Sequence, residues 1–188
     1  MSISRRYTSA DLELLPNVEG VRYEIIDGDL YVSSQPDWHH QYTCHEIGAE
    51  LRNWDRQAGL GVTIPAPGLV FAEDDDVAPD LIWVSRERLA AVQDKAGHLS
   101  AAPELVVEVL SPGSSNVRRD REIKLALYSR RGVEEYWIVD WRRQTVEIYR
   151  REQATLRLVA TLGNEDMLTS PLLPDFASPI AGLWPPSL

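Results

Sequence analysis

The stretch LVVEVLSP, from Leu105 to Pro112, decides how the rest of the sequence is interpreted. Its length and its β-branched residues are typical of a fully buried strand, yet Glu108 stands in the middle of the apolar run. An ionised carboxylate inside a core costs many kcal/mol unless a partner compensates it. The sequence therefore predicts a buried strand at 105–110 that brings a carboxylate to a functional site.

A second carboxylate lies on another predicted strand. Strand alternation puts Val106, Glu108 and Leu110 on one face, and Asp80 opens the apolar run APDLIWV. If the two strands are neighbours, their carboxylates meet, and close carboxylates repel each other unless a cation lies between them. Mg²⁺ is the natural cation, because it takes oxygen ligands from one or two protein carboxylates and from water.

The helix predicted after the Glu108 strand, from about Val117 to Arg131, adds a lysine. Asp120, Lys124 and Tyr128 follow each other at four-residue spacing and therefore share one stripe of this helix. The flexible stem of Lys124 can bring its ammonium group to the same site. Carboxylates that hold a metal, with a lysine alongside, are suited to the attack of water on a phosphodiester.

The other elements follow from periodicity and turn residues. In chain order these are a short helix ending at Leu15, a hairpin around Asp27-Gly28, a helix at 39–58 that Gly59 ends, strands at 60–64, 69–72 and 80–84, a short helix at 85–96, and paired strands at 135–140 and 145–150. The proline-rich tail, from about 163 to 188, is predicted to be irregular chain that wraps back over the body. The order helix, three strands, helix, strand is typical of an α/β sandwich around a mixed sheet.

Length and charge limit the class of protein. The chain has 188 residues, which we expect to form a single domain, 1–188. Its net charge of −10 argues against bulk electrostatic binding to nucleic acid or to anionic membranes, although the segment 118–131 is locally basic. The single cysteine, Cys44, excludes an internal disulfide. No apolar run is long enough to span a membrane and the start lacks a secretory h-region, so we expect a cytoplasmic protein without a membrane partner.

Five segments carry a resemblance to a known family. YEIIDG, APDLIWV, PELVVEVLSPGSS, DREIKLALY and GVEEYWIVD, in this order, resemble the Uma-two-type restriction endonuclease family, a branch of the PD-(D/E)XK nuclease superfamily. The resemblance covers roughly Tyr23 to Tyr149. It implies a restriction-endonuclease-like core at about 23–150, with a mixed central sheet flanked by helices in the order αβββαβ and an added N-terminal β-hairpin. It also implies Mg²⁺-dependent cleavage of DNA by water, with Mn²⁺ as a substitute, and a homodimer.

The resemblance assigns roles to individual positions. The PD of the superfamily motif falls on Pro79-Asp80, and the acidic residue of its second half falls on Glu108. Leu110 stands where the superfamily has a lysine, and within this branch the lysine has moved to the following helix, here Lys124. The backbone carbonyl of Val109 is implied as a further metal ligand.

The predicted border of the site contains further residues. Glu24 and His40 match recurring positions of the branch, and Asp120 and Tyr128 share the stripe of Lys124. Arg118, Arg119 and Arg121 are predicted to contact DNA phosphates.

Each candidate also has an ordinary structural interpretation. Glu108 can be a buried glutamate paired with an arginine, and Asp80 a turn residue after proline. Lys124 can be a solvated lysine on a helix surface. For Glu24 the solvent face of a hairpin strand is the favoured interpretation.

Two other motifs are weak. His39, His40 and Cys44 suggest zinc, but no second ligand pair lies nearby in sequence. The acidic run at 73–76 lacks the spaced ligands and the glycine of a calcium loop, so a solvated loop is predicted.

The leading hypothesis is therefore a metal-dependent DNA endonuclease. One alternative is an inactive nuclease fold that binds DNA or a protein partner. Another is a metal hydrolase that acts on a smaller phosphate ester.

Overall fold

The strand around Glu108 lies in the centre of a six-stranded sheet. The structure, a computed structural model, describes residues 6–186, so the ends of the predicted domain at 1–5 and 187–188 lie outside it. The strands are β1 Val21–Ile26, β2 Asp29–Ser34, β3 Gly61–Pro65, β4 Leu69–Ala72, β5 Asp75–Val77, β6 Leu81–Ser85, β7 Leu105–Val109, β8 Glu135–Asp140, β9 Thr145–Glu152, β10 Thr155–Leu162, β11 Met167–Thr169 and β12 Ala177–Pro179.

The helices flank this sheet. They are α1 Ser9–Leu12, α2 Trp38–Ala58, α3 Arg86–Val92, α4 Ser114–Arg118 and α5 Leu125–Arg131, with a π-helical segment at Arg119–Lys124 and a 3-10 helix at Ile180–Leu183. Within residues 6–186, no helix combines the length and the apolar character that crossing a membrane would require.

The large sheet has the strand order β10-β9-β8-β7-β6-β3. Only β7 and β8 run parallel, and the helical stretch that contains α4 and α5 supplies the crossover that a parallel pair needs. With α2 in front, the core reads helix, three strands, helix, strand, as predicted. The third core strand is β7, because β4 belongs to a separate antiparallel sheet of order β2-β1-β5-β4.

Strand alternation divides the residues of β7 between two cores. Val107 and Val109 pack with Ile47 and Leu51 of α2 on one face. On the other face, Val106 packs in the cluster that contains Leu127 and Tyr128 of α5. Glu108 shares the face of Val106, so its carboxylate is directed toward the helix that follows β7.

The predicted hairpin is confirmed at the N-terminal end. Asp27 and Gly28 have φ values of 52° and 75° between β1 and β2, and two positive φ values are what a tight two-residue hairpin turn requires. β1 continues into the rest of the fold by pairing with β5 at Ile25 and Asp76.

Two segments are more regular than the sequence predicts. The predicted solvated loop at 73–76 is wrong in its second half, because β5 begins at Asp75 and this residue is 1% exposed. Arg130 and Arg131 neutralise the buried carboxylate. The tail is also not irregular, because β11 and β12 pair with each other.

The tail covers the α2 face of the large sheet. Its buried apolar side chains join the same cluster as Ile47 and Leu51 of α2, and they are Leu168, Leu173, Phe176, Ile180, Leu183 and Trp184. Apolar burial has therefore ordered a segment whose prolines suggested irregular chain.

Candidate active site

Asp80 immediately precedes β6, and Glu108 lies on β7, the antiparallel neighbour of β6. Leu81 of β6 pairs with Val107 of β7, so the residue before Leu81 and the residue after Val107 lie next to each other. The backbone N–H of Val109 donates a hydrogen bond of 2.9 Å to Asp80 Oδ2. This bond anchors the Asp80 carboxylate beside the end of β7.

Lys124 reaches Glu108 from the π-helical segment. Its Nζ lies 2.8 Å from Glu108 Oε1 and 2.9 Å from Glu24 Oε1, and the residue is 1% exposed. The interpretation of Lys124 as a solvated surface lysine is therefore wrong. A π-helical turn is wider than an α-turn and often marks a functional site.

The other members of the predicted stripe face the same way. The hydroxyl of Tyr128 donates a 2.8 Å hydrogen bond to Glu108 Oε1, from behind the site. Asp120 is buried, and its backbone carbonyl accepts a bond of 3.0 Å from the Tyr136 hydroxyl. Glu108 thus has a lysine and a tyrosine as partners, where the structural alternative expected an arginine.

Glu24 is part of this buried group. It is 2% exposed, so the solvent-face interpretation of β1 is wrong at this position. Its Oε1 accepts a 3.0 Å hydrogen bond from the N–H of Ala78, and Arg119 Nη1 lies 3.9 Å from its Oε2. Two residues earlier on the same strand face, Arg22 Nη1 lies 3.7 Å from Asp80 Oδ1.

His40 contacts the opposite side of Asp80. Its Nε2 lies 3.2 Å from Asp80 Oδ2, and its Nδ1 lies 3.5 Å from the sulfur of Cys44. Ligand atoms of His40, Cys44 and Asp80 all fall within 4.8 Å of one another. The third possible ligand is thus Asp80, which is distant in sequence, whereas the ring of His39 stacks on Trp141.

The charges of the site do not balance. Burial raises the pKa of Glu108 to about 8, assisted by the negative charges of Asp80, Asp120 and Glu24 and opposed by Lys124. Burial alone would lower the pKa of Lys124, but Glu108, Glu24 and Asp120 outweigh it and raise that pKa, so the ammonium stays charged. Four carboxylates thus share one buried lysine and two arginines, Arg119 and Arg22, so negative charge is in excess.

The remaining carboxylates differ in pKa. Burial would raise the pKa of Asp80, but the hydrogen bond and charge of His40, followed by Lys124, hold it below the usual range. For Glu24, Lys124 and then Arg119 overcome burial and lower the pKa. Burial prevails at Asp120 and raises its pKa.

These residues line one cleft of about 510 Å³. The predicted site residues in its wall are Glu24, His40, Asp80, Glu108, Val109, Arg119, Asp120 and Lys124. A cleft of this size is in the range of small-molecule and substrate sites. Residues from β1, β7, the start of α2 and the π-helical segment therefore meet Asp80, which immediately precedes β6, at one place.

The three predicted phosphate-binding arginines are not equivalent. Arg119 belongs to the cleft wall, where its Nε lies 3.3 Å from Asp120 Oδ1. The side chain of Arg118 is 72% exposed and pairs with Glu122 at the surface. Arg121 pairs with Glu147 of β9 instead.

A sequence model of the family described as "Uma2: Putative restriction endonuclease" matches residues 9–181. That match spans most of the 188 residues. The chain belongs to the Uma2 family. No curated protein matches this Uma2 chain.

A solved structure is similar to this Uma2 protein in fold. The crystal structure of "a putative nuclease belonging to DUF820 from Anabaena variabilis" matches with a TM-score of 0.73 and 18% identity, over 94% of this chain and 96% of that one. The type IIG restriction endonuclease BpuSI matches with a TM-score of 0.39 and 12% identity, over 77% of this chain and 14% of that one, which is too low a score for an argument. The first match supports the α/β fold with a mixed central sheet flanked by helices.

Sequence reasoning missed two neighbours of Asp80 in this Uma2 chain. Arg22 lies two residues before Glu24 on β1, so strand alternation predicts that the two side chains share a face. Cys44 follows His40 by one helical turn, which predicts their contact but not the approach of Asp80.

Proposed function

We propose that this chain is a metal-dependent endonuclease that hydrolyses DNA phosphodiester bonds with water. Asp80, Glu108 and Lys124 are its catalytic residues. The observation that carries the proposal is the convergence of these three groups, far apart in sequence, on one cleft wall. Membership of a family described as restriction endonucleases agrees with it.

The donor set suits a hard divalent cation. The carboxylates of Asp80 and Glu108 and the carbonyl of Val109 are oxygen ligands of the kind that Mg²⁺ prefers, and Mn²⁺ accepts the same donors. The hydrogen bonds of Glu108 converge on Oε1, and burial, assisted by the neighbouring negative charges, raises its pKa to about 8. When bound there, a divalent ion would supply Lewis acidity that acidifies water and neutralises phosphate charge.

Lys124 acts as a charged donor rather than as a base. Its raised pKa keeps it protonated at neutral pH, and an ammonium group has three N–H donors. Two of them point to Glu108 and Glu24. The third can bind a phosphate oxygen or orient the attacking water, and in either role the positive charge stabilises the charge that develops in the transition state.

The residues around this centre position it. His40 holds Asp80 through Nε2, and Tyr128 fixes Glu108 from behind. Arg119 in the cleft wall and Arg118 at the surface are proposed to contact DNA phosphates, whereas Arg121 is already occupied by Glu147. A homodimer would present two such clefts to the two strands of a duplex.

The test compares isosteric variants of the proposed catalytic residues. Asp80→Asn, Glu108→Gln and Lys124→Met are assayed for nicking of supercoiled plasmid with Mg²⁺, with Mn²⁺ and with EDTA. We expect the wild type to cut only with a divalent ion, and each variant to lose at least about 100-fold in rate, as expected for a lost catalytic group. Glu73→Gln, at an exposed acidic position, is the control and should cut like the wild type. A wild type whose cleavage all three variants retain would contradict the proposal.

One observation favours a second candidate, a nuclease fold that binds DNA without cutting it. Glu108 is 3% exposed, and its Oε1 is already satisfied by Lys124 and Tyr128, as in a purely structural cluster. Titration calorimetry separates the two candidates. Uptake of Mn²⁺ that Glu108→Gln abolishes supports the enzyme, whereas DNA binding without metal uptake supports the binding module.

A further inference from the structure

A second cleft lies on the other side of the first turn of α2. Its volume is about 560 Å³, and its wall contains Trp38, His39, Trp141 and Arg142. The catalytic cleft uses Asp37 and His40 of the same turn. The first turn of α2 therefore contributes to the walls of both clefts, with Trp38 and His39 in one and His40 in the other.

Three aromatic rings form a continuous stack in this second cleft. The ring centroids of Trp38 and His39 are 3.9 Å apart with an interplanar angle of 29°, and those of His39 and Trp141 are 4.4 Å apart at 2°. Trp38 is 45% exposed, which is unusual for a tryptophan, so the stack is open at this end. An open aromatic stack offers a flat face to a further ring.

The polar surroundings of the stack fit a nucleic acid. Trp141 begins the four-residue loop between β8 and β9, and Arg142 and Arg143 follow it. Both arginines share the single carboxylate of Asp140, whose side chain is 6% exposed. The side chain of Arg143 is 76% exposed, so the loop has one positive charge more than Asp140 can neutralise.

We propose that this stack binds an unpaired base of the DNA substrate next to the catalytic cleft. The inference rests on the proposed function, and it adds a substrate class: DNA with a bulged, flipped or single-stranded nucleotide beside the cut. Aromatic rings stack with any base, because every base has a π-face, and the loop arginines supply charge for the adjoining phosphates.

The test measures binding with Ca²⁺ in place of Mg²⁺, so that it does not depend on cleavage. Two duplexes of the same sequence are compared by fluorescence anisotropy, one fully paired and one with a single bulged 2-aminopurine. We expect tighter binding of the bulged duplex, quenching of its 2-aminopurine, and a loss of about 10-fold in its affinity in Trp38→Ala and Trp141→Ala. Affinity for the paired duplex should change by less than about 2-fold.

The controls separate stacking from folding. Trp38→Ala removes an exposed ring and should leave the thermal unfolding temperature unchanged. The result for this variant is therefore decisive even if Trp141→Ala disturbs the loop between β8 and β9. Trp38→Phe should restore bulge binding because it restores a ring, and Leu158→Ala, at a position that is 52% exposed on β10, should bind like the wild type.

Three results would overturn the inference. They are equal losses for both duplexes, no loss for either, and a change in oligomeric state on gel filtration that makes the stack a contact between copies. A wild type that prefers the bulged duplex but never cuts plasmid would contradict the proposed function. It would still support the binding of an unpaired base by the stack.

Discussion

Lys124 is charged inside the protein because two carboxylates hold it there. Its Nζ contacts Glu108 and Glu24 at 2.8 Å and 2.9 Å, and all three residues are at most 3% exposed. A buried charged group of this kind is stable only while all of its members are present, since removal of one partner leaves an uncompensated buried charge. Lys124 is therefore needed for the stability of this buried group, and it is also a proposed catalytic residue.

Lys124→Met is expected to destabilise the protein by roughly 3 kcal/mol, because it leaves the buried Glu24 and Glu108 without the cation that they share. Adding Glu24→Gln should recover part of that loss, since it removes one of the two charges. Urea unfolding of both single variants and the double variant measures the coupling. The chain has only one other lysine, Lys95, which is exposed, so Lys95→Met is the matched control. Additive effects would contradict a shared charge network.

Strand alternation correctly predicts the directions of Glu108 and its neighbours, because period two is a local property of the chain. It does not predict the burial of Glu24. That burial depends on Lys124, which is 100 residues away, and on the N–H of Ala78. A single sequence contains no signal for either contact. For the same reason, the sequence does not predict that Asp80 lies beside His40 and Cys44.

Among the elements, β5 is the clearest example of a strand that is stabilised by charged residues distant in sequence. Asp75 accepts hydrogen bonds from Arg130 and Arg131 near the end of α5 and from the N–H of Asp27 in the hairpin turn. These contacts tie the small sheet to the helix that contains the site. A run of acidic residues is normally solvated, so the sequence predicts a loop where the arginines stabilise a strand.

Asp75→Asn should lower the free energy of unfolding at pH 7 by about 1–2 kcal/mol, because solvent screens the partly exposed arginines. Burial would raise the pKa of Asp75, but the Asp27 N–H and then the arginines hold it below its ordinary value of 3.8. The stabilisation is thus complete above that ordinary value and is lost as the pH falls through the lowered one.

Urea unfolding from pH 7 to pH 3 checks this dependence. The difference between wild type and Asp75→Asn should stay constant down to about pH 5 and shrink below about pH 4. Glu73→Gln, two residues earlier and exposed, should show no such difference. A difference that grows on acidification would contradict the assigned sign.

The π-helical segment also cannot be predicted from the sequence. The four-residue spacing of Asp120, Lys124 and Tyr128 predicts a stripe on a regular helix, and the structure keeps their common direction through a wider turn. Helix periodicity does not separate the two cases over so short a stretch. The helix itself, its end at Gly132 and its direction toward Glu108 follow from the local pattern.

In the molecule as a whole, the tail covers the α2 face of the large sheet, opposite the face toward which Glu108 points. Phe176 is 5% exposed, and its ring lies 6.2 Å from that of Trp137 on β8 and 6.1 Å from that of Trp54 on α2. Phe176 therefore connects the tail to both the large sheet and α2. The prolines of the tail suggest irregular chain, because they interrupt any continuous helix or strand that its apolar residues could form. Only the completed sheet and α2 provide the surface that they cover.

Phe176→Ala is therefore expected to cost about 3–4 kcal/mol in unfolding free energy, the range for a buried phenylalanine whose removal leaves a cavity. Leu158→Ala, at an exposed apolar position of β10, should change it by less than about 0.5 kcal/mol. Urea unfolding followed by both tryptophan fluorescence and circular dichroism measures the two variants. If the tail is part of one cooperative core, both probes shift together, because the layers that Phe176 joins unfold as a unit. A shift in fluorescence alone would mean that the tail detaches first and that the sheet and α2 are stable without it.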